Sequence, residues 1–231
     1  MNAPLTAEQL EALRRLDACT LANAIETFQR RLRNEGFADS SIRCLFPDLP
    51  PMVGYAATVT IRGSEPPVAG DAYFDRTDWW DYIASVPAPR VVVVQDVATH
   101  PGLGSLVGAV HMNILRALHC GGVVTNGSVR DIPAAGNCGF HLFAGSVSVS
   151  HAYVHIIEIG APVDVGRLKV RSGDLLHGDL HGVQSIPLEI AAQVPPVAAR
   201  IVAHEQALIK LCQSPEFSIE KLRAAVAKDR P

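Results

Sequence analysis

The spacing of apolar residues predicts helices at the start of the chain. Within residues 6–33, Leu10, Leu13 and Leu16, and then Leu21 and Ile25, recur at helical spacing, as on the buried face of a helix. Thr6 followed by Gln9 is the pattern of a capping box, so the first helix should begin there. Thr20 is placed to cap a second helix over Leu21–Arg33. The segment is therefore predicted to form two helices in series.

The next part of the chain changes to shorter runs rich in β-branched residues. Val53–Arg62 alternates in part between apolar and polar positions and predicts a strand. A short helix is predicted over Ala72–Ala84, which carries Trp79 and Trp80. Val91–Val94 is a run of valines, which is typical of a strand in a sheet covered on both faces.

The centre of the chain has the pattern of a strand–loop–helix–strand unit. A glycine-bearing loop at His100–Gly104 follows the valine strand, and a helix is predicted over Ser105–His119. Gly121 and Gly122 are expected to end that helix, before a second strand at Val123–Thr125. In such βαβ units, ligands gather where the carboxyl ends of strands meet the amino ends of helices.

The second half of the chain is mostly β and ends in helices. Pro187 precedes C-terminal helices predicted within residues 188–228. No repeat or linker divides the chain, so residues 1–231 are expected to form one domain. The predicted fold class is α/β, with a central βαβ unit, mixed sheets and terminal helices. The predicted strands of this half cover residues 140–149, 154–158, 162–165, 168–170, 175–177 and 183–186.

Composition narrows the possible functions. Apolar residues make up 48% of the 231 residues and charged residues 19%, with a formal net charge of −3. This balance, without a basic stripe, argues against nucleic acid as a partner. The five cysteines include no CxxC pair, which argues against a disulfide framework and favours a cytoplasmic setting. The amino-terminal residues lack the apolar core of a signal peptide, and the apolar runs are too short to span a membrane.

The run Gly121–Asp131 carries the clearest chemical signal. A buried strand ends in a glycine turn and is followed directly by Arg130 and Asp131. The planar guanidinium of Arg130 suits a substrate carboxylate, and the carboxylate of Asp131 suits a divalent cation. A surface ion pair after a strand would give the same dipeptide, and such pairs are common. The pattern therefore indicates either a site for small oxo-acids or a simple ion pair.

The glycine-rich loop before this strand is a second candidate. Over Gly102–Val110 it lacks both the Walker lysine and the acidic residue that follows a dinucleotide fingerprint. Its backbone N–H groups could bind an anion at a helix start, unless the loop is a plain helix entry. His111 follows one turn later, where an imidazole could donate to a substrate carboxylate or relay a proton. A histidine that only bonds a backbone group is the alternative.

Three segments together resemble one known family. They are GAVHMNILRALHCGGVVTNGSVRD at 108–131, GAPVDVGRLKVRSGDLLHGDLHGVQSIP at 160–187, and the amino-terminal LTAEQLEALRRLDACTLANAIE with MVGYAATV. The chain is similar over most of its length to the RraA-like family of 4-hydroxy-4-methyl-2-oxoglutarate aldolases and the regulator of ribonuclease activity A. The resemblance implies a swivelling β/β/α fold and a homotrimer, sometimes paired into a hexamer, with sites between subunits.

The resemblance also implies a class II aldolase, which depends on a divalent metal and usually decarboxylates oxaloacetate. Asp131 would then hold Mg²⁺ or Mn²⁺, and Arg130 would bind the pyruvoyl group of a small oxo-acid substrate and stabilise its enolate. The backbone that would hold the substrate carboxylate belongs to Gly108, Ala109, Val110 and His111.

The chain departs from the aldolase pattern at two places. The usual Gly-Glu-Leu-Leu is Gly-Ala-Val-His at residues 108–111, and Asn23 stands where an aspartate is usual. Lysine is scarce, with Lys169 the only one before Lys210, which favours a metal-assisted lyase over a Schiff-base enzyme. A protein-binding regulator resembling the ribonuclease inhibitor branch is the alternative. A methyltransferase is disfavoured, since no glycine-rich adenosyl loop is visible.

Overall fold

The computed structural model describes residues 4–67 and 76–228. The helices are α1 (Ala7–Arg14), α2 (Ala18–Glu26), α3 (Asp78–Ser85), α4 (Ala109–Ala117), α5 (Ile132–Asn137), α6 (Val194–Gln213) and α7 (Ile219–Lys228), with a 3-10 turn at Ala191–Gln193. The strands are β1 (Arg43–Cys44), β2 (Met52–Arg62), β3 (Arg90–Asp96), β4 (Ser105–Val107), β5 (Cys120–Val129), β6 (His141–Val147), β7 (His155–Ile159), β8 (Val163–Val165), β9 (Leu168–Val170), β10 (Leu175–Asp179) and β11 (Gly182–Ile186).

One large mixed sheet organises these elements. Its strand order is β1-β6-β5-β3-β2-β10-β11, with β4 also paired to β5 and β7 to β2. The neighbours β2, β3, β5 and β6 are mutually parallel, whereas β1, β7, β10 and β11 pair antiparallel. Strands β3 and β5 are joined through α4, so the predicted βαβ unit is present. The α/β fold class with mixed sheets and terminal helices is confirmed.

The sheet is covered on both faces, which explains the unbroken valine run. Val92 and Val94 belong to the core that includes residues of the helices, among them Leu13 of α1. Val91 and Val93 belong to a second core that includes the hairpin formed by β8 and β9. Because side chains alternate across a strand, a strand buried on both faces needs apolar residues at every position.

The amino-terminal helices differ from the prediction in the second cap. Thr6 and Gln9 form the predicted capping box. Helix α2, however, begins at Ala18, because the Asp17 side chain accepts from the Thr20 N–H over 2.9 Å. The prediction of a Thr20 cap was therefore wrong. The prediction that this helix reaches residue 33 was also wrong, because α2 ends at Glu26. An aspartate three residues earlier competes successfully as the cap.

The central helix also begins later than predicted. Ser105–Val107 is strand β4, which pairs in parallel with the end of β5, and α4 follows from the cap residue Gly108. Pairing with a distant strand thus overrides the local helical pattern. His119, with φ 55°, follows the helix, whereas Gly121 and Gly122 lie inside β5 and do not end it.

The remaining helices agree with the prediction within a few residues. The tryptophan-bearing helix α3 begins at Asp78, and residues 72–75 of the predicted span lie outside the described residues. At the carboxyl end, α6 and α7 occupy much of the predicted region. Within the described ranges, no helix combines the length and the apolar character needed to cross a bilayer.

Arg90 holds the helices that flank the candidate site. Its guanidinium donates to Leu118 O over 2.6 Å, to Val86 O over 2.6 Å and to Ala84 O over 2.8 Å. These carbonyls lie at the carboxyl ends of α4 and α3, where a cation is favoured by the helix dipole. The carboxyl end of α4 is thereby tied to the start of β3.

Gly122→Ala should destabilise the protein, whereas Gly121→Ala should not. A Cβ at Gly122 would lie 2.6 Å from the Cβ of His141 and 2.7 Å from the Met52 sulfur. A Cβ at Gly121 would come no closer than 3.7 Å to Met52, which is an ordinary contact. We expect Gly122→Ala to lower the free energy of unfolding by about 1–3 kcal/mol, as overpacking does. Urea unfolding of both variants measures the difference, and equal effects would contradict the close approach.

Candidate functional site

The candidate site lies where the carboxyl ends of parallel strands meet the amino end of α4. Arg130 directly follows β5, and its backbone N–H donates to Val107 O over 3.1 Å. Val107 ends β4, and Gly108 then starts the helix. The end of β5 and the start of α4 are therefore held side by side.

Gly108 is in close contact with Arg130 and Asp131. A Cβ at Gly108 would lie 2.8 Å from both Arg130 Nε and Asp131 Oδ2, so only glycine leaves room for these two side chains. Asp131 Oδ2 accepts from the Ala109 N–H over 2.7 Å. A guanidinium, a carboxylate and a helix amino end are thus brought together, as the sequence predicted.

The two charged side chains are only loosely paired with each other. Arg130 Nε lies 3.9 Å from Asp131 Oδ2, and their side chains are 32% and 44% exposed. An exposed pair with this separation contributes only about 0–1 kcal/mol to stability. The geometry therefore leaves the guanidinium fork accessible to solvent, and the ion pair alone gives little reason for the arrangement.

The backbone of Asp131 is in the left-handed region, with φ 55° and ψ 41°. Aspartate tolerates this conformation better than most residues, although it still costs about 1 kcal/mol or more. Asp131 lies between β5 and α5, at the point where the chain turns. The turn places the carboxylate against the first N–H of α4, where the helix dipole favours a negative charge.

Among the described residues, Asp131 is the carboxylate that this site offers to a metal ion. Within residues 4–67 and 76–228, no group of three or more histidine, cysteine, aspartate or glutamate residues is arranged to hold a metal ion. Such a donor set does not fit zinc, which takes three or four protein ligands. It fits Mg²⁺ or Mn²⁺, which accept oxygen ligands and are often bound by one or two carboxylates with water and substrate.

At the start of the predicted anion loop, the Gly102 N–H group is already bonded to a carboxylate of the protein. The Gly102 N–H donates to Asp96 Oδ2 over 2.8 Å, and the Ala98 N–H donates to Oδ1 of the same carboxylate over 3.0 Å. Asn126 exchanges hydrogen bonds with the backbone of Asp96. The sequence did not reveal this support, although Asp96 at the end of β3 and Asn126 within the apolar strand β5 were its visible signal.

His111 is in the core, with 5% of its surface exposed. Its Nδ1 is 3.0 Å from Leu106 O and carries the proton in this bond, since a carbonyl only accepts. The Trp79 Nε1–H donates to His111 Nε2 over 3.3 Å, with the rings edge to face. Burial lowers the pKa of His111 despite the bond to Leu106. These contacts give His111 a structural part, and its part in catalysis stays a prediction.

The other two predicted binding residues lie at the surface of the first helical turn. Val110 is 77% exposed, and Ala109 is half-buried. The first N–H groups of an α-helix have no carbonyl partner within the helix. That of Ala109 is bound to Asp131, so the N–H groups that follow it are the ones that can receive an anion. Trp79, which orients the His111 ring, was not identified as a site neighbour, because its partner is 32 residues away along the chain.

Comparison with known proteins relates the chain to one family. A sequence model of the RraA-like family, described as Aldolase/RraA, matches residues 18–184. A protein from Halalkalibacterium halodurans called "Putative 4-hydroxy-4-methyl-2-oxoglutarate aldolase" is 31% identical over 84 residues. That match covers 36% of this chain, and it spans only 40% of the length of that curated relative.

Solved structures share the fold at low sequence identity. A protein from Pseudomonas syringae pv. tomato str. DC3000 has a TM-score of 0.73 at 23% identity, over 96% of this chain and 95% of its own. RraAS2 from Streptomyces coelicolor, an unusual member of the RNase ES inhibitor RraA family, has a TM-score of 0.69 at 18% identity, over 93% and 100% of the two chains. At these identities the likeness concerns the fold alone.

His111→Leu should destabilise the protein through the loss of a specific partner. The variant leaves the Trp79 N–H and the Leu106 carbonyl unpaired in the core, so we expect a loss of about 1–3 kcal/mol in the free energy of unfolding. In a Trp79→Phe background the same substitution should cost less, with a coupling of at least about 0.5 kcal/mol. Urea unfolding of the two single variants and the double variant measures this. Strictly additive losses would contradict the hydrogen bond.

Proposed function

The chain belongs to the RraA-like family, and we propose that it is a divalent-metal-dependent lyase. Its substrate is a small oxo-acid, and its reaction, an aldol cleavage or an oxaloacetate decarboxylation, passes through a pyruvate enolate. The observation that carries the proposal is the close grouping of Arg130, Asp131 and the amino end of α4 around Gly108.

Each part of this grouping matches one part of an oxo-acid. The carboxylate next to the ketone is an anion, which suits the N–H groups at the start of α4. The bond that breaks joins C3 to the departing carbon. As it breaks, the ketone oxygen gains negative charge, and the guanidinium of Arg130 stabilises that charge. In the decarboxylation, the electron pair of the C3–carboxylate bond moves into the enolate and CO₂ leaves. Protonation at C3 then gives pyruvate.

Asp131 is the residue that would hold the cation. Its side chain is partly exposed and lies beside Arg130, so a cation on it would be close to the bound oxo-acid. Mg²⁺ or Mn²⁺ would supply Lewis-acid polarisation of the ketone. The hydrogen bond from the Ala109 N–H fixes the position of the carboxylate.

The direct assay is pyruvate release from oxaloacetate, measured with and without Mg²⁺ or Mn²⁺. Release that needs the metal and saturates with substrate is expected. A rate equal to that of the metal in buffer would contradict the proposed lyase.

Asp131→Asn should abolish metal-dependent turnover while the fold is kept. Asparagine tolerates the left-handed backbone and can still accept from the Ala109 N–H, but it loses the charge that holds a cation. We expect the steady-state rate to fall by at least about a hundredfold, which is near 2.7 kcal/mol. Circular dichroism and urea unfolding serve as folding controls. Unchanged metal-dependent turnover would remove Asp131 from the site.

Arg130→Lys should reduce kcat/KM by at least about tenfold. Lysine keeps the charge but lacks the planar two-pronged donor. A hydrogen bond to a charged group contributes about 1.5–3 kcal/mol, and the partial exposure of Arg130 places its effect near the lower value. Arg116→Lys, an exposed position of α4, is the matched control and should change nothing. Equal kinetics for the Arg130→Lys and control variants would show that Arg130 is not a substrate ligand.

A protein-binding regulator is the second candidate function. Large apolar side chains are exposed near the same edge of the fold, and exposed apolar patches mark interaction surfaces. The fold is also shared with RraAS2, which belongs to an RNase inhibitor family. Absence of pyruvate release in the wild type, together with binding of a protein partner, would favour this candidate. The exposed residues are Leu103, Val110, Val147, Val149 and Tyr153.

The same apolar side chains support the proposal of a homotrimer or a hexamer. Burial against further copies of the chain would remove them from water, and closed symmetric assemblies are the common outcome of such contacts. Light scattering should therefore give a mass of three or six chains of 24.7 kDa. A stable and active monomer would contradict this assembly.

A further inference from the structure

Three buried side chains of β10 and β11 hold the junction between α1 and α2. His177 Nε2–H donates to Leu16 O over 2.8 Å, and Asp179 Oδ2 accepts from the Ala18 N–H over 2.7 Å. Gln184 Nε2–H donates to Ala18 O over 2.6 Å. His177 and Gln184 are direct partners across the two strands. We call these three side chains with residues 16–18 the junction latch.

The latch contains a buried nitrogen atom that lacks a hydrogen-bond partner. His177 is fully buried, and within the described part of the chain its Nδ1 has no partner. Because Leu16 O can only accept, the single proton of the neutral ring is on Nε2, and Nδ1 is a bare acceptor. A second proton would have to be placed on Nδ1, which has no hydrogen-bond partner among the described residues; the other side-chain atom of the latch without a partner is Gln184 Oε1.

A second buried histidine lies near enough to be influenced by the first. His141 at the start of β6 is also buried, and its Nδ1 has no partner among the described residues. Burial lowers the pKa of His141, and the positive charges of Arg14 and His177 lower it further. If both rings were protonated, their charges would repel each other within the core.

The groups around His177 act in opposite directions. Burial lowers the pKa of His177, and this effect outweighs the bond to Leu16 and the negative charges of Asp179 and Asp17. Asp179 is itself bound by the His181 backbone N–H, and its Oδ1 lies 3.2 Å from His181 Nδ1. The net effect keeps His177 neutral at neutral pH, so the latch is closed there.

We propose that the junction latch is an acid-sensitive switch, in which protonation of the buried His177 and His141 rings releases residues 16–18 from the sheet. The charged ring needs solvent, and it can reach solvent only if Leu16 O and the covering junction move away. Helix α2 follows directly, and its Asn23 contacts Glu205 of α6 over 3.4 Å. Release of the junction therefore also loosens the packing of α2 on α6.

The pH range follows from the sign of the shifts. The usual pKa of histidine is about 6.5, and folding lowers it for both rings. The unfolded or opened state therefore binds more protons, so the latch is fully stable above about pH 6.5 and is weakened as the pH falls below it.

Hydrogen exchange of the whole protein tests the switch. Backbone exchange is measured at pH 7.5 and 5.5, corrected for the intrinsic pH dependence, for residues 15–26 and for the buried strand β3 as an internal reference. We expect the protection of residues 15–26 to fall at least about fivefold more than that of β3. An equal change in both segments would overturn the proposal. A hydrogen bond donated by the protonated His177 Nδ1–H to Gln184 Oε1 would produce that result.

His177→Gln separates the histidine from the rest of the latch. Glutamine places an N–H near the position of Nε2 but does not titrate, so the variant should lose most of the acid-induced exchange. His151→Gln, at an exposed position, is the matched control and should behave as wild type. Acid sensitivity that persists in His177→Gln would overturn the proposal. If that variant fails to fold, His141→Gln replaces it. The loss of one of the two buried titrating rings should reduce the acid-induced exchange of residues 15–26, and an unchanged response would overturn the proposal.

Discussion

The close approach of Gly108 to the residues after β5 is the constraint on which the candidate site depends. The 2.7 Å hydrogen bond from the Ala109 N–H to Asp131 ties the first turn of α4 to the end of the strand. Any larger residue at position 108 would displace Arg130 or Asp131. The left-handed turn at Asp131 is strained, and this one bond offsets part of that strain. The fixed ends of the strand and the helix thus bring together the guanidinium of Arg130, the carboxylate of Asp131 and the amino end of α4.

The parts of the fold that follow from local patterns were predictable. The valine run at residues 91–94 and the capping box at Thr6 each depend on near neighbours in sequence, and both appear as expected. The start of α4 was not predictable, because Ser105–Val107 forms a strand only by pairing with β5. Gly121 and Gly122 similarly resemble a helix end, but both lie inside β5, where Gly122 allows close packing against Met52 and His141.

The candidate site also has some features that follow from local sequence and others that depend on contacts distant in sequence. Arg130 and Asp131 adjoin each other in sequence, so their nearness was guaranteed once the strand was recognised. The environment of His111 was not, since Trp79 and Leu106 reach it only in the folded chain. The buried histidines share this property: their hydrogen bonds and lowered pKa values depend on contacts distant in sequence. Because folding lowers the pKa of these three rings, the unfolded state binds more protons, and a fall in pH lowers the free energy of unfolding.

The proposed site requires that a small oxo-acid binds between Arg130 and the amino end of α4. A crystal structure with Mg²⁺ and oxalate, a planar mimic of the pyruvate enolate, measures this directly. We expect one carboxylate group of oxalate at the first turn of α4, the guanidinium of Arg130 on an oxalate oxygen, and the cation on Asp131. Oxalate bound elsewhere, or a cation that leaves Asp131 in its bond to the Ala109 N–H and without a metal contact, would contradict the proposed site.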